Sequence, residues 1–174
     1  MRALLLTGGL GSGKTAVATE IGELLETPHA VVDLDWLCWV SGADVHALLT
    51  ANLRAVAANY AAAGVTDLVL ARALLERPHL EAVLSALPGY EVTVIRLEVS
   101  PATVLDRLSG RDSGATLAGH LAQARDFAAR VAAAALEDHV VSNEGRPVGE
   151  VAAEALASWA DGPRSRQAGA PGRS

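Results

Sequence analysis

The chain has 174 residues, 51% of them apolar, which fits one compact domain with a real core and excludes a disordered protein. Its 20 acidic and 14 basic residues give a net charge of -6, a poor match to non-specific nucleic-acid binding. Only one basic residue is a lysine, Lys14, and the single cysteine, Cys38, excludes an internal disulfide framework and a cysteine-based zinc site.

Ala3–Thr7 (ALLLT) is a short apolar run that meets a glycine cluster, and it predicts a strand buried on both faces. From Gly13 to about Glu26 the spacing is helical, with Val17, Ile21, Leu24 and Leu25 on one side, until Thr27-Pro28 stops it. Ala30–Leu34 (AVVDL) reads as a second strand. Ser41–Asp44 is a break that offers Ser41 or Asp44 as a cap for a helix running to about Ala63, ended by Gly64. Asp67–Ala71 is a third strand, and Pro78–Leu87 a short helix closed by Pro88-Gly89. Glu91–Val99 is rich in β-branched residues and is the clearest strand. Ser100-Pro101 then opens a helix, with proline at its favoured first position.

Ser109–Gly114 is polar and glycine-rich and reads as a loop. An alanine-rich helix over about Thr116–Leu136 follows, then a fifth strand at His139–Ser142, a loop at Asn143–Pro147 and a last helix at Val148–Trp159. Asp161–Ser174 has almost no apolar content and is expected to be a disordered tail behind a single domain of residues 1–160. Alternating strands and helices predict an α/β fold with a parallel sheet covered on both faces. Such sheets bind ligands beyond the carboxyl ends of their strands. Met1–Leu6 is too short for a signal-peptide core, and no segment reaches about 18 uninterrupted apolar residues. The expectation is a cytoplasmic protein with no membrane partner, a monomer or a homodimer.

The strongest chemical signal is Gly8-Gly9-Leu10-Gly11-Ser12-Gly13-Lys14-Thr15, which fits G-x-x-x-x-G-K-[ST] in full between a predicted strand and helix. Glycines let backbone N–H groups turn toward a polyphosphate, and the helix N-terminus adds partial positive charge. Lys14 would reach the outer phosphates, and the Thr15 hydroxyl would hold Mg²⁺. Asp33 and Asp35 lie two apart at the end of the second strand. In an extended chain both side chains point the same way, toward the phosphate end. One would serve Mg²⁺ while the other takes a proton from an attacking hydroxyl; the alternative is that Asp35 caps a turn and Asp33 is solvated.

The loop Gly8–Thr15 followed by Asp33-Leu34-Asp35 resembles the small P-loop kinases that phosphorylate hydroxyls on metabolites, such as shikimate, gluconate and adenylylsulfate kinases and chloramphenicol phosphotransferase. The stretch from Asn52-Leu53-Arg54 to Gly64-Val65 looks most like adenylylsulfate kinase. The resemblance covers about residues 1–160. It implies a three-layer α/β/α fold around a five-stranded parallel sheet, order 2-3-1-4-5, with a short lid between strands four and five. It implies ATP and Mg²⁺ as cofactors and a small-molecule hydroxyl acceptor as partner. Asp35 would then be the catalytic base, with Asp33 near Mg²⁺ and Arg54 on an anionic or polar acceptor. Arg107 and Arg111 would be lid arginines on ATP, and the loop carrying Arg146 would lie beside the adenine. No acid follows the third strand, where Ala71-Arg72 stands, and this favours the metabolite-kinase pattern.

Arg72 ends the third strand on the ligand side and suits either an acceptor anion or a structural ion pair. Trp36 and Trp39 follow Asp35 and suit either an apolar acceptor pocket or packing of a short helix on the sheet. Cys38 is expected to be a buried thiol, and the five histidines show no metal-ligand spacing. A second reading keeps the same loop in a nucleotide-binding regulatory ATPase with no small-molecule acceptor.

Overall fold

The computed structural model describes residues 1–109 and 115–164. Five strands, β1 (Arg2–Gly8), β2 (His29–Asp33), β3 (Asp67–Ala71), β4 (Glu91–Glu98) and β5 (His139–Ser142), form one parallel sheet in the order β2-β3-β1-β4-β5. Six helices accompany them: α1 (Lys14–Leu24), α2 (Val45–Ala62), α3 (Arg77–Ala86), α4 (Pro101–Ser109), α5 (Ala115–Ala134) and α6 (Val148–Ala160). The expected sheet order is therefore the observed one. Positions 110–114 of the expected loop, Arg111 among them, and positions 165–174 of the expected tail lie outside the described residues.

Successive strand residues point to opposite faces, so a strand buried on both sides feeds two cores. Ala3 and Leu5 join Leu68 and Leu70 under α2 and α3, where Leu49, Leu53, Leu80 and Val83 pack. Leu4 and Leu6 join Val69 and Ala71 on the other face, under Val17 and Ile21 of α1 and Val151 and Trp159 of α6. At the amino end of the sheet, Arg2 donates to both carboxylate oxygens of buried Asp67, at 3.1 and 2.7 Å, and its guanidinium lies 4.7 Å from the Trp159 ring centre. Among the described residues no helix is long and apolar enough to cross a membrane.

Helix ends follow the sequence. The Asp44 side chain caps α2 by accepting from His46 N and Ala47 N. Gly64, at φ 88°, lets the chain turn out of α2 while Val65 N reaches back to Tyr60 O. Ser100 Oγ accepts from Thr103 N at the start of α4, with Pro101 as first helical residue.

One boundary differs in a way that matters. The second strand ends at Asp33, not Leu34, because Asp33 Oδ1 accepts from Asp35 N and turns the chain into a 3-10 helix over Leu34–Leu37. Asn52 of α2 seals that turn by donating to Leu37 O at 2.6 Å.

Candidate active site

The Gly8–Thr15 loop joins β1 to α1 at the carboxyl end of the sheet. Gly13 stands at the start of α1 with φ 87° and no side-chain cap, which leaves the first helical N–H groups facing outward. A Cβ on Gly13 would lie 2.6 Å from Asn143 Nδ2. A Cβ on Gly8 would lie 2.6 Å from Ser12 Oγ and 2.7 Å from Leu97 O. The glycines are thus required by close approach as well as by turn geometry. Lys14 Nζ donates to Gly8 O and Gly9 O at 3.1 and 3.0 Å. Burial lowers its pKa, while the negative charges of Asp35 and Asp33 pull it back up. Both carboxylates therefore lie within electrostatic reach of the ammonium.

Across the loop, Arg107 from the last turn of α4 donates to Gly11 O at 3.1 Å and to Asn143 O at 3.0 Å. Asn143, buried at the end of β5, donates from Nδ2 to Ser12 O at 2.7 Å. Arg146 donates to Ser142 O and pairs with Glu154 of α6 at 2.5 Å. Lys14, Thr15, Arg107, Asn143, Arg146 and Val148 all line one cavity of about 510 Å³ at the mouth of the loop. Asn143 was not singled out within its loop by sequence reasoning. Its one signal is a polar residue immediately after a buried strand. Glu144 beside it accepts from Ser100 N at 2.7 Å, from Ser100 Oγ at 3.0 Å and from the Thr103 hydroxyl, tying α4 to this loop.

The opposite rim is built by the 3-10 helix. It holds Leu34–Leu37, with Cys38 as its C-cap and Trp39 just beyond, and its one pair of residues three apart, Leu34 and Leu37, faces the core. Leu34 is buried and Leu37 packs on the same core. Asp35 and the C-cap residue Cys38 share one partner. Arg72 Nη1 donates to Asp35 Oδ1 and lies 2.9 Å from both that oxygen and Cys38 Sγ. Trp36, in the helix, and Trp39, beyond it, stack at 5.2 Å between ring centres and 18° between planes. They are 73% and 78% exposed, so packing on the sheet is not their role. Cys38 is buried, as expected.

Two sequence expectations change. The aspartates were paired on the premise of an extended chain, but the strand stops at Asp33 and the side chains diverge. Asp33 Oδ2 accepts from Thr15 Oγ1 at 3.0 Å, whereas Asp35 turns to Arg72. Arg54 does not join this rim: it donates to Ser85 O at the end of α3, in the groove between α2 and α3. Arg72 makes the ion pair that was one of its two readings.

The Thr15 hydroxyl and Asp33 carboxylate are hard oxygen donors of the kind that hold Mg²⁺, which takes most of its other ligands from phosphate and water. The described residues hold no group of three or more His, Cys, Asp or Glu that could bind a metal alone. A Mg²⁺ shared with a polyphosphate needs no such group.

No family model matches this chain, and no curated protein matches it in sequence. Its likeness is to solved structures. The tunicamycin resistance protein of Deinococcus radiodurans superposes with a TM-score of 0.66, covering 91% of this chain and 95% of that one at 17% identity. A gluconokinase from Sinorhizobium meliloti 1021 gives 0.61, with 92% of each chain covered at 20% identity. The APS kinase of Mycobacterium tuberculosis, solved with AMPPNP and APS, gives 0.56, covering 91% and 97% at 20% identity. The fold is that of the P-loop kinases. At these identities the likeness carries the architecture, and the chemistry has to come from this chain's own side chains.

Proposed function

We propose that this chain is an ATP-dependent phosphotransferase that moves the γ-phosphate of ATP to a hydroxyl of a small molecule. The observation that carries the reading is the meeting of three groups at the end of the phosphate loop. Lys14 donates to the loop carbonyls and feels the charge of two carboxylates, Asp33, which accepts from Thr15, and Asp35, which pairs with Arg72. The kinase fold and the cavity beside the loop support it.

In this mechanism the Gly8–Thr15 backbone and the α1 N-terminus bind the phosphates, and Arg107 closes on them from α4. Thr15 and Asp33 would hold Mg²⁺, which supplies charge neutralisation on the transferring group. Asp35 accepts the proton of the acceptor hydroxyl as its oxygen bonds to the γ-phosphorus. The bond to the bridging oxygen breaks, and ADP leaves with that electron pair. Lys14 offsets charge growing on the phosphoryl oxygens. Arg146, which lines the same cavity, would lie beside the nucleotide's base.

ADP release measured over a panel of hydroxyl acceptors tests the reading. Asp35→Asn is expected to lower transfer about 10²- to 10⁴-fold. Full transfer by that variant would remove Asp35 from the base role. Lys14 and the N-terminus are the only amines in the chain, so ATP protection of Lys14 from an amine reagent reports nucleotide binding separately. Protection without transfer to any acceptor, with a protein partner retained only in the ATP state, would instead establish the regulatory ATPase.

A further inference from the structure

The geometry points to an uncharged acceptor that carries a planar ring, stacked on the outer face of the Trp36–Trp39 pair with its hydroxyl turned toward Asp35. This rests on the phosphotransfer reading above and adds the chemistry of the acceptor.

Two of the chain's three tryptophans stand together in solvent, while Trp159 is only 3% exposed in the core. Leaving two indoles in water forgoes the burial that their area would provide, so their position calls for an occupant. The 3-10 helix sets where that occupant lies. It follows directly on Asp33, its N-cap, which already bonds Thr15 at the phosphate loop, so Trp36 stands within one turn of that residue. A ring lying on the indoles therefore lies beside the turn that carries Asp33 and Asp35, with the Asp35 carboxylate on the residue next to Trp36.

Charge decides the rest. Both arginines expected to meet an anionic acceptor are engaged. Arg54 is on Ser85 O, and the Arg72 side chain, only 12% exposed, holds Asp35 and Cys38. The Asp35 side chain is 62% exposed and presents negative charge on this rim. An anion would meet that carboxylate, whereas Arg72 and Lys14 are already bonded, to Asp35 and to the loop carbonyls. A flat, uncharged face meets no such barrier, and stacking tolerates many ring types.

Indole fluorescence of the full chain with ATP present is the direct test, with buried Trp159 as constant background. The neutral ring probes are uridine and 4-nitrobenzyl alcohol. Glycerol and gluconate are the ring-free probes, and 4-(hydroxymethyl)benzoate is the anionic ring. Saturable quenching by the neutral rings is expected. Trp36→Ala should weaken it about tenfold, and Trp36→Phe should restore most of it. Stronger binding of the ring-free or anionic probes would overturn the proposal, as would unchanged binding by Trp36→Ala or no saturable quenching at all. So would fluorescence that changes on dilution alone together with a sedimenting dimer lost in Trp36→Ala, since the patch would then join two copies of the chain. Saturable quenching without ADP release keeps the platform and removes the kinase reading. ADP release with ring-free acceptors only does the reverse.

Discussion

The two sides of the site are held by different kinds of contact. On the nucleotide side, charged and amide side chains grip backbone: Lys14 on Gly8 O and Gly9 O, Arg107 on Gly11 O and Asn143 O, Asn143 on Ser12 O. On the acceptor side, bonds from the Asn52 and Asp33 side chains to backbone hold the turn, but the exposed groups are placed by side chains on side chains: Thr15 with Asp33, Asp35 and Cys38 with Arg72, Trp36 with Trp39. A backbone carbonyl is the same at every residue, so the first kind of site survives wide change in its neighbours. The second kind changes with each substitution. In the proposed function, one side would take a ligand common to many enzymes and the other a ligand particular to this chain.

The comparison breaks first at Gly13. Gly13→Ala places a Cβ at φ 87°, a region that costs an L-residue about 1–2 kcal/mol. The same Cβ displaces Asn143 Nδ2, 2.6 Å away, and strands the buried Ser12 carbonyl at a further cost of about 1–3 kcal/mol. A combined loss on the order of 3 kcal/mol is expected in denaturant melts, together with loss of ATP protection at Lys14. Unchanged stability would show that the nucleotide side does not depend on this backbone approach.

Arg72→Met is the matching change on the acceptor side, and it should leave the fold nearly untouched. The partner carboxylate is mostly exposed, so the pair contributes about 0–1 kcal/mol. In the proposed mechanism Arg72 positions Asp35, with which it pairs at 2.9 Å. Its removal is expected to lower kcat about tenfold, with ATP protection of Lys14 retained and partial rescue by Arg72→Lys. A rise in KM alone, with kcat kept, would mean that Arg72 binds the acceptor directly instead.

This division also explains what was legible beforehand. The phosphate loop and the five strands follow from a motif and from runs such as ALLLT and EVTVIRLEV, because backbone geometry and two-sided burial leave few options, whereas the strand order is what the resemblance to the small P-loop kinases implies. The acceptor rim was read in parts and assembled on a wrong premise. Asp33 and Asp35 were placed on one face of an extended chain. A single hydrogen bond, Asp33 Oδ1 to Asp35 N, ends the strand and changes the repeat from two residues to three. That one change sends Asp35 to Arg72 and the two indoles into solvent. Arg54 failed for another reason. Helical position alone does not tell which neighbour a long side chain reaches, and the Ser85 carbonyl at the end of α3 lies within reach of it.

The smallest expected effect lies where α4 meets the β5–α6 loop, and it tests whether the nucleotide side has a side-chain hold of its own. Glu144 keeps its pKa below the ordinary carboxylate value, first through the Thr103 hydroxyl and then through Ser100 N. A carboxylate whose pKa is lowered by folding stabilises the fold while ionised. Its contribution is complete above the ordinary carboxylate value and is lost as pH falls through the lowered one. Glu144→Gln removes the charge at every pH. Melting temperatures of the two proteins should therefore differ most near neutral pH and converge in acid, with the wild type falling faster. Parallel curves would show that Glu144 holds α4 by shape alone. Because α4 carries Arg107 to Gly11 O and Asn143 O, convergence in acid should be matched by weaker ATP protection of Lys14 in the variant at neutral pH.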